Sequence, residues 1–283
     1  MIYFVATPIG NLEDITIRAI NILKSVDIIA CEDTRTSQKL LNHYQISKKL
    51  ISFHKFNEAE TSKKIIELNN SGNDIAIISD AGMPIISDPG NILTKKLRGE
   101  NISFTVIPGA NAALSALLLS GLDCSSFHFA GFMPETQSEK LNLIKELSVI
   151  KSTLIFYVSQ HNLKKDINSL YEILGSRKCS LVKEITKLYE TTYSFILGDK
   201  IHFAKNEEDK KTVEANDLII DTKGEFVLVV EGAKDNEDLL KTSIPEHVRF
   251  YINLGFNKND SIKKVAKERN VKKDTIYREV LKL

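Results

Sequence analysis

Cysteine is scarce in this chain. Its three copies, Cys31, Cys124 and Cys179, lie far apart, and none falls in a C-x-x-C. That pattern excludes a disulfide framework and reads as small core residues in a reducing compartment. The six histidines show no H-E-x-x-H and no clustered ligand spacing, so no metal is expected. No apolar run reaches the roughly eighteen residues that a membrane span needs. The opening "MIYFVATPIG" lacks a basic leader and a small-residue cleavage site. It reads as a first core strand, and the chain as cytoplasmic. No G-x-G occurs anywhere, which excludes the dinucleotide fingerprint G-x-G-x-x-G. The phosphate loop G-x-x-x-x-G-K-[ST] and the nucleophile elbow G-x-S-x-G are also missing. No internal repeat or low-complexity tract is visible.

What is present is ordinary globular material. The 283 residues are 42% hydrophobic and 27% charged, enough for one large or two medium cores. Short runs rich in Val, Ile and Phe recur at 2–6, 27–31, 75–79, 104–108, 127–132, 153–158, 180–185 and 226–232. Helical patterns separate most of them. In "ITIRAINILKSV", Ile15, Ala19, Ile22, Leu23 and Val26 share a face. "ETSKKIIELNNSG" closes on Gly72, a C-terminal cap. "NAALSALLLSG", apolar nearly all round, predicts a buried helix. Alternating strand and helix predicts two α/β domains with largely parallel strands, over 1–121 and 122–233. The polar "AKDNEDLLKTS" (233–243) reads as a linker.

The tail, 244–283, is a separate unit. It holds ten Lys and Arg against five Asp and Glu, a charge of +5, while the rest of the chain carries −4. A first helix should end at Gly255, a second should follow an Asn or Asp cap at "NDSIKK", and "VKKDTIYREVLKL" should form a third. Ile262, Val265 and Ala266 would face Ile276, Tyr277 and Val280. This is a helix-turn-helix pattern, and its lysines suit nucleic acid.

Parallel sheets hold ligands outside the carboxyl ends of their strands. Four successive strand ends carry loops rich in Gly, Pro, Asp, Thr and Asn: "TPIGNLED", "EDTRTS", "SDAGMPIISDPG" and "PGANAA". Gly82, Gly90 and Gly109 let backbone approach a ligand, and Pro8, Pro84 and Pro108 stiffen the loops. An apolar floor from Met83, Ile85 and Ile86 suits a cofactor of mixed polarity. Glu32, Asp33, His54, Glu58 and Glu184 are candidate bases, and Arg35 and Lys187 candidate phosphate ligands. Asp88, before Pro89, reads as a turn and cap residue.

In order along the whole chain, "ATPIGNLED", "CEDTR", "SDAGMPIISDPG", "IPGANAALSAL", "FAGFMP", "KEITK" and "KGEFVLVVEG" resemble the ribosomal small subunit methyltransferase I group of the tetrapyrrole methylase superfamily. The tail resembles that group's helix-turn-helix appendage. The resemblance implies two α/β domains with the cofactor cleft between them, and a homodimer. It implies S-adenosylmethionine as donor, S-adenosylhomocysteine as product, and 2′-O-methylation of a cytidine in the decoding region of 16S rRNA in the 30S subunit. Carried over motif by motif, Pro8, Ala81, Gly82, Met83, Ile86, Asn111 and Ala112 should line the cofactor, with Val158 and Ile185 closing the site from the second domain. The catalytic candidates remain Glu32, Asp33, Arg35, His54 and Glu184. Departures occur at "VSQHN" (158–162), where His161 stays but an acid, a Pro and an Arg are replaced, at "ETQSEK", and at Met83, where Thr is commoner. Two other readings are a methylase of a tetrapyrrole or other small molecule, and a non-enzymatic helix-turn-helix regulator that senses a ligand.

Overall fold

The computed structural model describes residues 1–204, 209, 217–233, 240, 242–253 and 256–281. The chain forms two compact units. One combines Met1–Ser115 with Glu184–Thr191, and the other combines Ala116–Lys183 with Thr192–Leu283.

The first unit alternates β1 (Ile2–Val5), α1 (Ile17–Ser25), β2 (Ile28–Cys31), α2 (Thr34–His43), β3 (Lys49–Ser52), α3 (Glu58–Asn70), β4 (Ile75–Ile78), α4 (Asn91–Gly99) and β5 (Phe104–Ile107). The strands form one parallel sheet in the order β3-β2-β4-β1-β5. Successive side chains point to opposite faces, so each apolar run feeds two cores. Ile2, Phe4, Ile28, Ala30, Ile75 and Ile77 pack with Ile65 and Ile66 of α3 and Leu93 and Leu97 of α4. Val5, Ile29, Cys31, Ala76 and Ile78 pack with Ala19 and Leu23 of α1 and Leu41 of α2. Thr16 caps α1 through its side chain. Gly72, at φ +93°, lies just past the end of α3 in the conformation a C-terminal cap requires. Strand β3 was not expected: Lys49 is exposed and only Ile51 is buried, so this edge strand carries little hydrophobic signal.

α5 (Ala112–Ser120) crosses the division between the units. The expectation of a fully buried helix needs correction. Ala113, Ala116 and Leu117 are buried, but Leu114 and Leu119 are exposed, and Leu118 is 73% exposed.

The second unit contains β6 (Phe127–Phe132), α6 (Gln137–Leu147), β7 (Thr153–Val158), α7 (Leu163–Leu174), β8 (Lys178–Lys183), β9 (Thr191–Ile196), β10 (Ile201–Ala204), β11 (Leu218–Asp221) and β12 (Phe226–Val230). Its five-stranded sheet, β6-β7-β12-β8-β9, is mixed rather than parallel. β6 and β7 are parallel, but β12 enters antiparallel between β7 and β8. β10 and β11 form a separate parallel pair. Among the described residues no helix separates β8 from β9, or β11 from β12, so the strict alternation suggested by the sequence pattern does not hold there. Lys140 of α6 and Asp166 of α7, both buried, form an ion pair inside this unit. Cys31 and Cys179 are buried thiols, but Cys124 is exposed, against the expectation of three core residues.

The tail forms α8 (Ile244–Asn253), α9 (Lys258–Glu268) and α10 (Lys273–Leu281). Val248, Tyr251, Ile262, Val265, Ala266 and Ile276 make its core, with Val280 at the margin. Tyr251 takes the place expected of Tyr277, which is 43% exposed. The cap of α9 is Asn257, two residues before "NDSIKK", with Asp260 reciprocating at the third helical position. The expected stop at Gly255 lies outside the described residues, as does most of the 233–243 linker.

Candidate functional site

The order β3-β2-β4-β1-β5 contains a switch point. From β1 the chain passes β4 to reach β2, and from β4 it passes β1 to reach β5. The loops after these neighbouring strands leave in opposite directions, which opens a crevice at their carboxyl ends. The two loops are tied where they part. The Thr7 amide donates to the Gly82 carbonyl at 2.9 Å, and the Gly82 amide to the Thr7 carbonyl at 3.1 Å. The Thr7 hydroxyl donates to the Ser79 carbonyl, and the Ser79 hydroxyl to the Gly82 carbonyl, each at 3.2 Å. Thr7 and Ser79 are buried. Sequence reasoning passed over both, and only their position at strand ends could have flagged them.

The long loop after β4 is backbone-strained. Ile85 and Ser87 take φ of +76° and +70°, which is unusual for any side chain and an outlier for a β-branched one. Gly82 sits at φ +81°. A Cβ there would lie 3.1 Å from Ile9 Cγ2 and 3.5 Å from the Ala110 carbonyl oxygen. Bare backbone is therefore presented at this point. Pro8, Pro84 and Gly90 are buried, Met83 is half-buried and Ala81 exposed. The apolar floor is revised. Ile85 packs on the core and against Gly90, whereas Ile86 is exposed. Asn111 and Ala112 are half-buried at the start of α5, where the Asn111 side-chain oxygen accepts the Leu114 amide at 3.0 Å.

The remaining candidates separate clearly. Asp33 is the cap of α2, accepting the Arg35 amide at 2.7 Å, while its own amide donates to Asp80 Oδ1 at 3.2 Å. Arg35 is exposed on the first turn of α2. Glu58 is corrected from base to cap: its Oε1 accepts the Gly90 and Ile92 amides at 2.9 and 2.8 Å, at the start of α4. Glu184 and Ile185 belong to the first unit, not the second, because residues 184–191 return to it. Thr186 accepts the Asn11 amide at 3.1 Å, and Ile185 is buried. Glu184 is held by Lys187 at 3.1 Å. Val158 lies in the other unit's core at the end of β7, paired with Phe226 of β12.

Glu32, Asp80 and Asp88 make an acidic cluster on this edge, and their electrostatics single out Asp88. Burial pushes its carboxyl up to about 6, and the Glu32 and Asp80 charges add to that. Burial also raises Glu32, with Asp80 adding to it and His54 opposing. Asp80 is raised by burial against the hydrogen bond from the Asp33 amide. His54 is anchored through its backbone amide to Asn57 Oδ1 at 2.8 Å, and its Nδ1 is buried without a hydrogen-bond partner. Asp88 is thus a turn residue, as "SDPG" suggests, its amide donating to the Ile85 carbonyl at 3.3 Å, and it also carries a carboxyl of raised proton affinity. Among the described residues, no group of three or more His, Cys, Asp or Glu is arranged to hold a metal ion. Nor is any helix among them long and apolar enough to cross a membrane.

Comparison with known proteins agrees with this geometry. The family model of tetrapyrrole (corrin/porphyrin) methylases matches residues 1–200. In structure the chain is similar to a diphthine synthase (TM-score 0.58, 12% identity, 81% of this chain and 89% of that one). It is also similar to uroporphyrin-III-C-methyltransferase from Thermus thermophilus (0.51, 17%, 81% and 93%). At such identities these two share the fold alone. Fold and family model together define a methylase, an enzyme that uses a methyl donor of S-adenosylmethionine type. Proteins named ribosomal RNA small subunit methyltransferase I are 44% identical in Halalkalibacterium halodurans, over 98% of this chain and 93% of that protein, and 35% identical in Escherichia coli O157:H7, over 99% and 94%. The chain belongs to the tetrapyrrole methylase family, within the group that carries that name.

Proposed function

We propose that this protein methylates the ribose 2′-oxygen of a cytidine in the decoding region of 16S rRNA, within the 30S subunit, leaving S-adenosylhomocysteine. The observation that carries the reading is the crossing of the β1 and β4 loops, tied at Thr7 and Gly82 and rimmed by carboxylates. Such a place suits S-adenosylmethionine. The left-handed Gly82 presents backbone where a Cβ would crowd Ile9, and Met83 and Ile86 add apolar surface. Pro8, Ala81, Asn111, Ala112, Val158 and Ile185 complete the proposed set. When bound, S-adenosylmethionine supplies an electrophilic methyl on a sulfonium.

The protein's work is alignment, water exclusion and proton acceptance. Holding the ribose oxygen in line contributes roughly 7–11 kcal/mol. Asp88 is the proposed acceptor of the ribose proton, since a carboxylate near 6 is ionised at neutral pH yet more basic than an ordinary one. Glu32 raises that basicity by its charge. Asp33 and Glu184 are committed to cap and ion pair, and exposed Arg35 suits a backbone phosphate. The basic three-helix unit would hold RNA. The exposed leucines of α5 support a homodimer, and the protein would act in the cytoplasm.

The test is transfer of tritium from labelled S-adenosylmethionine to 30S subunits, naked 16S rRNA or a uroporphyrinogen. Label in the ribose of RNA is expected. Label only in the uroporphyrinogen would overturn the reading.

A further inference from the structure

Phe56 is 95% exposed, the most exposed of the large hydrophobic side chains among the described residues. Single exposed apolar residues are common on protein surfaces and mean little alone. Three features set this one apart. First, its loop is pinned. Asn57 Oδ1 accepts the His54 amide at 2.8 Å, Asn57 Nδ2 donates to the Ser52 carbonyl at 3.1 Å, and the Asn57 amide donates to the His54 carbonyl at 3.0 Å. The Thr61 amide then bonds the Asn57 carbonyl at 2.9 Å as α3 begins. The ring is therefore held outward by rigid backbone rather than left on a loose tip. Second, the loop follows β3, so it stands on the same carboxyl edge as the crossing loops. Third, Phe56 is linked to the carboxylates. Its ring meets His54 edge to face, centroids 6.1 Å apart at 66°, and the charge of His54 opposes the burial that raises Glu32. Lys55 is exposed beside it.

We infer that Phe56, with Lys55, forms a stacking platform that holds an unpaired base of the RNA next to the methylated ribose. The inference rests on the proposed reading as an rRNA methyltransferase. An aromatic face accepts a splayed-out base, because every base offers a π-face, and a flanking lysine contacts the adjoining phosphate. Enzymes that act within a folded nucleic acid must hold their target nucleotide out of the stack. A ring exposed almost entirely to solvent keeps a face open for this.

Replacement at Phe56 cannot open a core, so Phe56→Ala should fold normally. With 30S subunits and S-adenosylmethionine, Phe56→Ala is expected to raise KM for the subunit about tenfold or more. The loss should fall in KM rather than kcat, and affinity for S-adenosylmethionine should be unchanged. Phe56→Tyr should restore KM. The chain contains no tryptophan, so Phe56→Trp installs a single indole as reporter. RNA should quench it, while the indole of Ile196→Trp, exposed on β9, should stay unquenched. Unchanged KM in Phe56→Ala together with an unquenched Phe56→Trp, in a protein whose unaltered form methylates RNA, would overturn the platform alone. If the unaltered protein labelled no RNA, the reading of function would fall and take the platform with it.

Discussion

The two units treat charge in opposite ways. In the second, buried charges are matched: Lys140 with Asp166, Lys183 with Asp221 at 2.8 Å, and Arg177 with the Ser148 and Glu231 carbonyl oxygens at 2.6 and 3.3 Å. In the first, Glu32, Asp80 and Asp88 crowd one sheet edge and are all raised by burial, with Asp80 adding to Glu32 and both adding to Asp88. Matched charge specifies a fold. Crowded like charge costs stability and is kept where proton affinity is useful. The difference also follows topology. An all-parallel sheet sends every strand's loop to one edge, whereas β12 runs against its neighbours and sends its own exit to the opposite edge.

The sharpest break of this contrast is Lys140→Ala. It strands Asp166 in the core and should cost about 3–5 kcal/mol in urea unfolding. The double change Lys140→Met with Asp166→Leu should recover most of that. If the single change were silent, matched charge in the second unit would not be structural.

Next comes Gly82→Val, on the other side of the comparison. A β-branched residue at φ +81°, with Ile9 Cγ2 3.1 Å from the new Cβ, should cost about 1–3 kcal/mol of strain. It should also lower affinity for S-adenosylmethionine by about 100-fold in calorimetry, while unfolding stays cooperative. Unchanged affinity would remove Gly82 from the cofactor site.

Asp88→Asn then tests the crowded edge. The activity of the unaltered protein should rise as pH passes about 6, and the variant should lose that limb and roughly 10² in kcat. Stability should move the other way. A carboxyl whose folded pKa is raised favours the folded state when protonated. Stability should therefore increase as pH falls from about 6 towards the usual value of 3.8, and be lower above 6. Asp88→Asn should flatten that window and unfold at a higher temperature at pH 8. A variant less stable than the parent at pH 8 would contradict the burial argument.

How far the sequence could be read follows from the same contrast. The first sheet was legible because β1, β2 and β4 are buried on both faces and read as continuous apolar runs. β3, β9, β10 and β11 were not, since their mixed burial leaves no strong period. The direction of β12 is invisible locally, because "FVLVV" is equally apolar either way. The switch-point loops could be recognised by their Gly and Pro. The return of 184–191 to the first unit could not, because it turns through positive φ at Glu184 and Thr186 rather than at glycine. The raised proton affinity of Asp88 was not legible, because it comes from burial beside Glu32, fifty-six positions earlier; the turn that "SDPG" spells is present, with the Asp88 amide donating to the Ile85 carbonyl at 3.3 Å.

The three-helix unit extends the comparison to a third pattern, charge left for a partner. Lys272 and Lys273 are exposed at the start of α10 and Arg278 in its last turn, with Tyr277 exposed before it. Two acids of the preceding helix are engaged within the unit: Asp260 bonds Lys263 and Asn257, and Glu268 bonds His247 and Tyr251. Each cation that neutralises a phosphate releases about 0.7–0.9 of a counterion. Changing Lys272, Lys273 and Arg278 to Ala should then reduce the slope of log affinity against log salt for 30S subunits by about 2. Affinity near physiological salt should fall roughly tenfold, with binding of S-adenosylmethionine unmoved. All three lie outside the tail's core, so the melting temperature should hold. An unchanged slope would mean that this face is solvated surface, and that the RNA is held by the crowded edge of the first unit, where Lys55 and Arg35 would have to supply the cations.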